Sequence, residues 1–131
     1  MSGVEFRWDV RSAEPGEAGA RQTPGTDLFG TLTVTPGGEI ECSHLYLRLG
    51  WRTGGRSMEE SGVAAEADLF QGTLAAGQPA QFAFRLPAPD RPWSFAGRVV
   101  AILWELTAEI DRPLAVNPRS RFPILLRPET K

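Results

Sequence analysis

Cys42 and His44 are the first candidates for chemistry, because they are the only cysteine and the only histidine in the chain. Residues two apart on a strand point to the same side, so the pair could share a zinc ion with a carboxylate such as Glu41. A closed zinc site takes four ligands and generally uses more cysteine and histidine than this. A catalytic pair needs hydrogen-bond contact, whereas same-face neighbours on a strand lie about 7 Å apart. We therefore expect neither a metal site nor a catalytic pair here, and no cofactor.

Carboxylates form the second candidate group. Glu105, Glu109 and Asp111 share one face of a single predicted strand, and paired carboxylates can act as general acid and base. A row of this kind is also typical of a solvated outer face, and we favour that interpretation. The stretch Gly54-Gly55-Arg56-Ser57 is not a phosphate loop, because the lysine and the following helix are missing. The sequence thus predicts no catalytic residue and a protein that is not an enzyme.

Four tryptophans could form a platform on which sugars or bases stack. Trp8, Trp51 and Trp104 fall on the apolar side of alternating runs, so packing in a core explains them better. Trp93 lies in a predicted loop and is the only one expected to be exposed.

These residues must be positioned by strands, because alternation of apolar and polar residues is the dominant pattern. Seven such runs cover residues 4–10, 28–35, 45–51, 63–69, 82–86, 97–111 and 121–127. Turns rich in proline and glycine separate many of them, as at Pro36-Gly37-Gly38. Seven alternating strands in 131 residues predict an all-β, antiparallel sandwich that forms one domain over residues 1–131. Residues 12–26 are too polar and turn-rich for a strand and are predicted to form a flexible loop.

The phase of these strands predicts the core. Its expected members are Phe6, Trp8, Leu32, Val34, Leu45, Leu47, Leu49, Phe82, Phe84, Ile102, Trp104 and Leu106. In the fourth run, Val63 is expected on the same inward face as Ala65 and Ala67.

The order of several motifs resembles the arrestin fold. Residues 30–34 lead through a Pro-Gly turn to a long strand, and Phe82-x-Phe84-x-Leu86-Pro87 precedes a Pro-Trp-Ser-Phe-Ala-Gly loop at residues 92–97. The strand over residues 102–110 follows, with Trp104 where tyrosine is usual. The pattern is similar to that of bacterial sporulation-control proteins and Vps26-type sorting proteins. The resemblance implies a single arrestin-like, immunoglobulin-like sandwich and a noncatalytic adaptor or scaffold, without the receptor recognition of two-domain arrestins.

The outer face of the sixth predicted strand departs from the rule that such faces are polar. Val99, Ala101 and Leu103 lie opposite the core residues of this strand, and Ala83 and Arg85 of the fifth are expected beside them. The apolar triplet is covered either by a loop of the chain itself or by a partner, because exposed apolar patches usually mark interfaces. We predict that these five residues bind a protein partner or a second copy of the chain.

Composition narrows the partners further. Fourteen basic residues against sixteen acidic ones leave a net charge of −2, which argues against nucleic acid. No apolar run is long enough for an integral membrane segment. A single cysteine fits a reducing cytoplasm. The sequence therefore predicts a cytoplasmic adaptor or scaffold of a bacterial assembly, and the alternative is a carrier that holds a sugar or lipid between the sheets or at the loop end.

Overall fold

The structure is a computed structural model that describes residues 3–15, 19–55, 60–96, 100–113 and 115–128. Within these residues the regular structure is entirely β. The strands are β1 (Val4–Asp9), β2 (Ala20–Gln22), β3 (Asp27–Pro36), β4 (Ile40–Cys42), β5 (His44–Gly55), β6 (Ser61–Asp68), β7 (Gly72–Leu74), β8 (Ala80–Pro87), β9 (Phe95–Ala96), β10 (Val100–Asp111) and β11 (Arg119–Leu126).

The strands form two main sheets. The smaller sheet has the order β1-β3-β8, and the larger has the order β2-β11-β10-β5-β6, with β9 also paired to β10. A two-stranded sheet of β4 and β7 completes the set. Every pairing is antiparallel except that of β2 with β11. The predicted antiparallel sandwich is thereby confirmed.

The pairing of β5 with β10 is the centre of the larger sheet. It runs without interruption from Val100 opposite Gly55 to Asp111 opposite His44. Alternation along both strands sends one set of side chains inward and the other set outward. The buried side chains alternate along both strands and are Leu45, Leu47 and Leu49 of β5 and Trp104, Leu106, Ala108 and Ile110 of β10. Residues between them on β10, such as Glu105 and Glu109, face away from the smaller sheet.

The core lies between the two main sheets. Eight of the twelve predicted core residues are buried: Leu32, Val34, Leu45, Leu47, Leu49, Phe84, Trp104 and Leu106. The other four, Phe6, Trp8, Phe82 and Ile102, are partly buried and pack against this cluster. Fully burying one large apolar side chain stabilises a fold by about 1.5–3 kcal/mol, so the contact between the sheets is the main source of stability.

Aromatic side chains close the two long sides of the sandwich. On one side the ring of Trp8 lies 5.8 Å from that of Phe122, and the Trp8 indole N–H donates to Ser120 Oγ at 2.9 Å. On the other side the rings of Phe70 and Phe82 lie 5.4 Å apart. Trp8 and Phe82 are thus only partly buried, because they lie at the edges of the sandwich.

The segment 12–26 departs from its prediction, because Ala20–Gln22 forms strand β2. Gln22 is buried, and its side-chain amide is hydrogen-bonded to the Ser12 and Thr26 hydroxyls and to the Asp27 carbonyl. A buried polar group is stable when it is fully hydrogen-bonded. Apolar alternation could not indicate this strand, since the buried residue is a glutamine.

Val63 also departs from its prediction. It is 59% exposed, while Ala65 and Ala67 pack against the core. Leu49 pairs with Ala65 and Gly50 pairs with Val63, so Ala64 is an extra residue in a β-bulge. A bulge reverses the phase of the strand beyond it, and Val63 is therefore turned outward.

Phe84→Ala should lower the free energy of unfolding by about 3–5 kcal/mol, because it removes a buried ring and leaves a cavity. Urea denaturation measures this loss. Gln81→Ala, on the exposed face of the same strand, is the matched control and should change the stability by less than about 0.5 kcal/mol. A loss below about 1 kcal/mol for Phe84→Ala would contradict the assigned strand phase.

Candidate interaction surface

The five residues predicted to bind a partner do not form one surface. Ala83 and Arg85 lie on β8, in the smaller sheet, whereas Ala101 and Leu103 lie on β10, in the larger sheet. Outer faces of two packed sheets point in opposite directions, so the expected contact between these pairs was wrong. Alternation tells which face a residue occupies but does not tell which sheet its strand joins. Val99 lies outside the described residues, and the backbone of Ala101 pairs with Gly54 and Ala96.

Arg85 makes contacts within its own sheet. Its guanidinium lies 3.0 Å from the Asp27 carboxylate and 4.8 Å above the ring of Phe29. It does not lie beside Leu103, as the sequence analysis expected, because Leu103 is on the opposite sheet.

Charged side chains cover much of the outer face of the larger sheet. The Arg48 guanidinium contacts Glu66 and lies 2.7 Å from Glu109, and Glu109 also accepts from Asn117 at 2.9 Å and Arg119 at 3.2 Å. The hydrogen bond from Asn117, followed by that from Arg48, lowers the pKa of Glu109 to about 2. Glu109 is thus held ionised in a structural network.

The other residues considered for chemistry, His44 and Cys42, are also held in structural contacts. The His44 ring stacks on Tyr46 with centroids 5.0 Å apart, and its Nδ1 lies 2.6 Å from the Asp68 carboxylate. Cys42 is buried, and desolvation by burial is the main cause that raises its pKa to about 11. The thiol and the imidazole do not share a face as expected, because the chain leaves β4 at Cys42 and enters β5 only at His44. Among the described residues, no three His, Cys, Asp or Glu side chains gather closely enough to hold a metal ion.

Leu103 marks the apolar end of the outer face. It is 39% exposed and pairs across the strands with Arg52. It lines a groove of about 450 Å³ together with Pro123, Leu125 and Arg127. This Leu103 surface, defined by Leu103, Pro123, Leu125, Arg52 and Arg127, combines an apolar centre with two arginines.

A second groove, of about 820 Å³, surrounds Trp93 at the end of the sandwich. Three prolines, Pro24, Pro92 and Pro128, line it with Arg91 and Arg127. Trp93 is 52% exposed, as the sequence predicted, and its indole N–H donates to the Asp90 carbonyl at 2.8 Å. Sequence reasoning missed the groove itself, because its walls come from four separate segments of the chain that no single motif joins.

Comparisons with known proteins support the fold. No protein-family model and no curated protein matches the chain. Among solved structures, the chain is similar to the sporulation control protein Spo0M from Bacillus subtilis, with 15% sequence identity and a TM-score of 0.72. The match covers 98% of this chain and 50% of the Spo0M chain, so this chain spans about half the length of that structure. The chain has the arrestin-like fold that its motifs predicted. No helix in the described residues is long and apolar enough to cross a bilayer.

Glu109→Gln should lower the free energy of unfolding at neutral pH by about 1–3 kcal/mol. The substitution leaves the partly buried Arg48 guanidinium with a neutral hydrogen-bond partner in place of a carboxylate. The folded pKa of about 2 lies below the ordinary value of 4.5. The stability that Glu109 contributes is therefore complete above pH 4.5 and is lost as the pH falls towards about 2.

Urea denaturation between neutral pH and pH 3 tests this prediction. Wild type should lose stability over this range, and Glu109→Gln should lose less of it. Glu5→Gln, on an exposed site of β1, should follow the wild-type curve. Identical pH profiles for wild type and Glu109→Gln would contradict the assigned role.

Proposed function

We propose that this chain is a noncatalytic protein-binding module that works as an adaptor or scaffold of a bacterial assembly. The observation that carries this proposal is the exposed Leu103 surface, which lies on the same sheet face as the charged network around Glu109. Apolar side chains that remain exposed together usually mark interaction sites.

The composition of the Leu103 surface fits a protein interface. Burial of apolar area contributes about 25 cal/mol per Å² to association. Arg52 and Arg127 stand in the lining of the same groove, and polar residues around an apolar centre are the usual arrangement at protein interfaces. A partner protein or a second copy of the chain can cover such a surface.

The state of the reactive residue types supports a noncatalytic role. The Cys42 thiol is buried and protonated at neutral pH, and Glu109 is bound by Arg48, Asn117 and Arg119. A general base must be free to take a proton from a substrate. The similarity to a protein described as a sporulation control protein also favours a regulatory function. The single cysteine favours a location in the reducing cytoplasm.

The alternative is a carrier that holds a sugar or lipid between the sheets or at the loop end, and the packing between the sheets does not favour the first of these sites. Large side chains from both sheets meet between them, among them Leu28, Leu32, Leu45 and Leu106, which are fully buried. Close packing of this kind leaves no space for a ligand between the sheets.

Leu103→Arg should abolish binding through the Leu103 surface, because it places a charge at the centre of the apolar contact. The substitution should leave the fold nearly intact, since the side chain points away from the core. Light scattering measures self-association, and pull-down from the native host compares the partners of wild type and variant.

Val116→Arg is the matched control, because Val116 is 86% exposed and lies on the loop before β11. It should retain the complex that Leu103→Arg loses. Far-UV circular dichroism checks folding. A monomeric wild type that recovers no partner overturns the proposal, as does a Leu103→Arg variant that unfolds.

A further inference from the structure

We propose that the groove around Trp93 binds an acidic, extended peptide segment of another protein. The segment carries an apolar side chain that covers the exposed face of the indole. This Trp93 groove, lined by Trp93, Pro24, Pro92, Pro128, Arg91 and Arg127, shares Arg127 with the Leu103 surface but does not include Leu103. The inference goes beyond the proposed function, because it assigns a second surface and the chemistry of its ligand.

Trp93 is an aromatic anchor that is already fixed in place. About half of its surface is exposed, yet its only donor is used within the protein, in the hydrogen bond to Asp90. The neighbouring Pro92 carbonyl accepts a hydrogen bond of 2.8 Å from the indole of Trp104, which is 2% exposed. The loop is therefore tied to the core directly before Trp93, and the indole itself is held against the same loop at Asp90. A fixed aromatic surface costs little entropy when a ligand binds.

Two arginines supply the charge. Arg91 and Arg127 both line the groove, and within the described residues neither side chain has an ion-pair partner. Guanidinium groups form strong, often bidentate hydrogen bonds with carboxylates. The ligand that satisfies both arginines must bring anionic groups of its own, since Asp90 is the only acidic residue in the lining described.

Neutral hydrogen-bond donors contribute less to recognition. The Trp93 indole N–H is used, and the Ser94 hydroxyl lies 3.4 Å from the Ile124 carbonyl while it accepts from the Leu126 N–H at 2.8 Å. The guanidinium groups thus remain as the main polar contacts for a ligand, which favours an anionic ligand over a neutral one.

A single nucleic-acid strand also presents anions and flat rings, and stacking on aromatic residues is its usual mode of binding. Such grooves follow the backbone with a continuous basic track. Here two arginines stand beside Asp90 in a protein with a net charge of −2. These charges favour a short acidic peptide over a polyanion.

Fluorescence anisotropy tests the proposal with three labelled probes: a peptide in which glutamates flank a central phenylalanine, the same peptide with lysines in place of glutamates, and oligothymidylate. The glutamate peptide should bind the wild-type chain, and binding should weaken as salt is raised, because exposed charges are screened. The other two probes should bind at least about tenfold more weakly.

Trp93→Ala should weaken binding of the glutamate peptide by about tenfold or more, because it removes the anchor. Arg127→Glu should weaken it more than Arg7→Glu, which makes the same change of charge on an exposed site of the opposite sheet. Leu103→Arg should retain peptide binding, so that failure of this inference and failure of the proposed function are distinguishable. Circular dichroism and thermal melting check the fold of each variant.

Four results would overturn the proposal: no binding of the glutamate peptide, equal binding of the lysine peptide or of oligothymidylate, full binding by folded Trp93→Ala, and equal effects of Arg127→Glu and Arg7→Glu.

Discussion

Twelve consecutive residues of β10 pair with twelve of β5, and the rest of the structure depends on this register. It places the leucines of β5 beside Leu106, Ala108 and Ile110 on the inner face, where they meet the smaller sheet. A shift by one residue would turn every one of these side chains to the solvent. The same register determines the outer face, since Arg48, Glu109 and Leu103 face outward only because their neighbours face inward.

The outer face of the larger sheet is divided along the strands. Toward the end of β10, Glu109 and its partners form a closed network whose charges satisfy one another. Toward the start of β10, Leu103 faces outward opposite Arg52, and the adjoining loop presents Trp93. Interactions that are satisfied within the protein offer little to a partner, and this is why we propose the apolar end as the site of recognition.

Sequence alternation predicted the fold class, the seven longer strands and most of the core, because a buried face repeats every second residue. It could not predict β2, whose buried residue is a glutamine, or the outward turn of Val63, which depends on a bulge. The candidate site was predicted only in part. Leu103 is on the expected outer face, whereas Ala83 and Arg85 belong to the other sheet. Strand order is a property of long-range pairing, and alternation within a strand contains no information about it.

The burial of Cys42 offers a way to measure local opening of the fold through the reactivity of its thiol. Only the thiolate reacts with alkylating reagents, and a pKa of about 11 combined with burial keeps this group unreactive while the fold is closed. Cys42 lies in β4, whose sheet partner is the three-residue strand β7. Short peripheral elements open more readily than the central strands of a domain. The rate at which the single thiol of the chain is alkylated should therefore report how often the sheet of β4 and β7 opens.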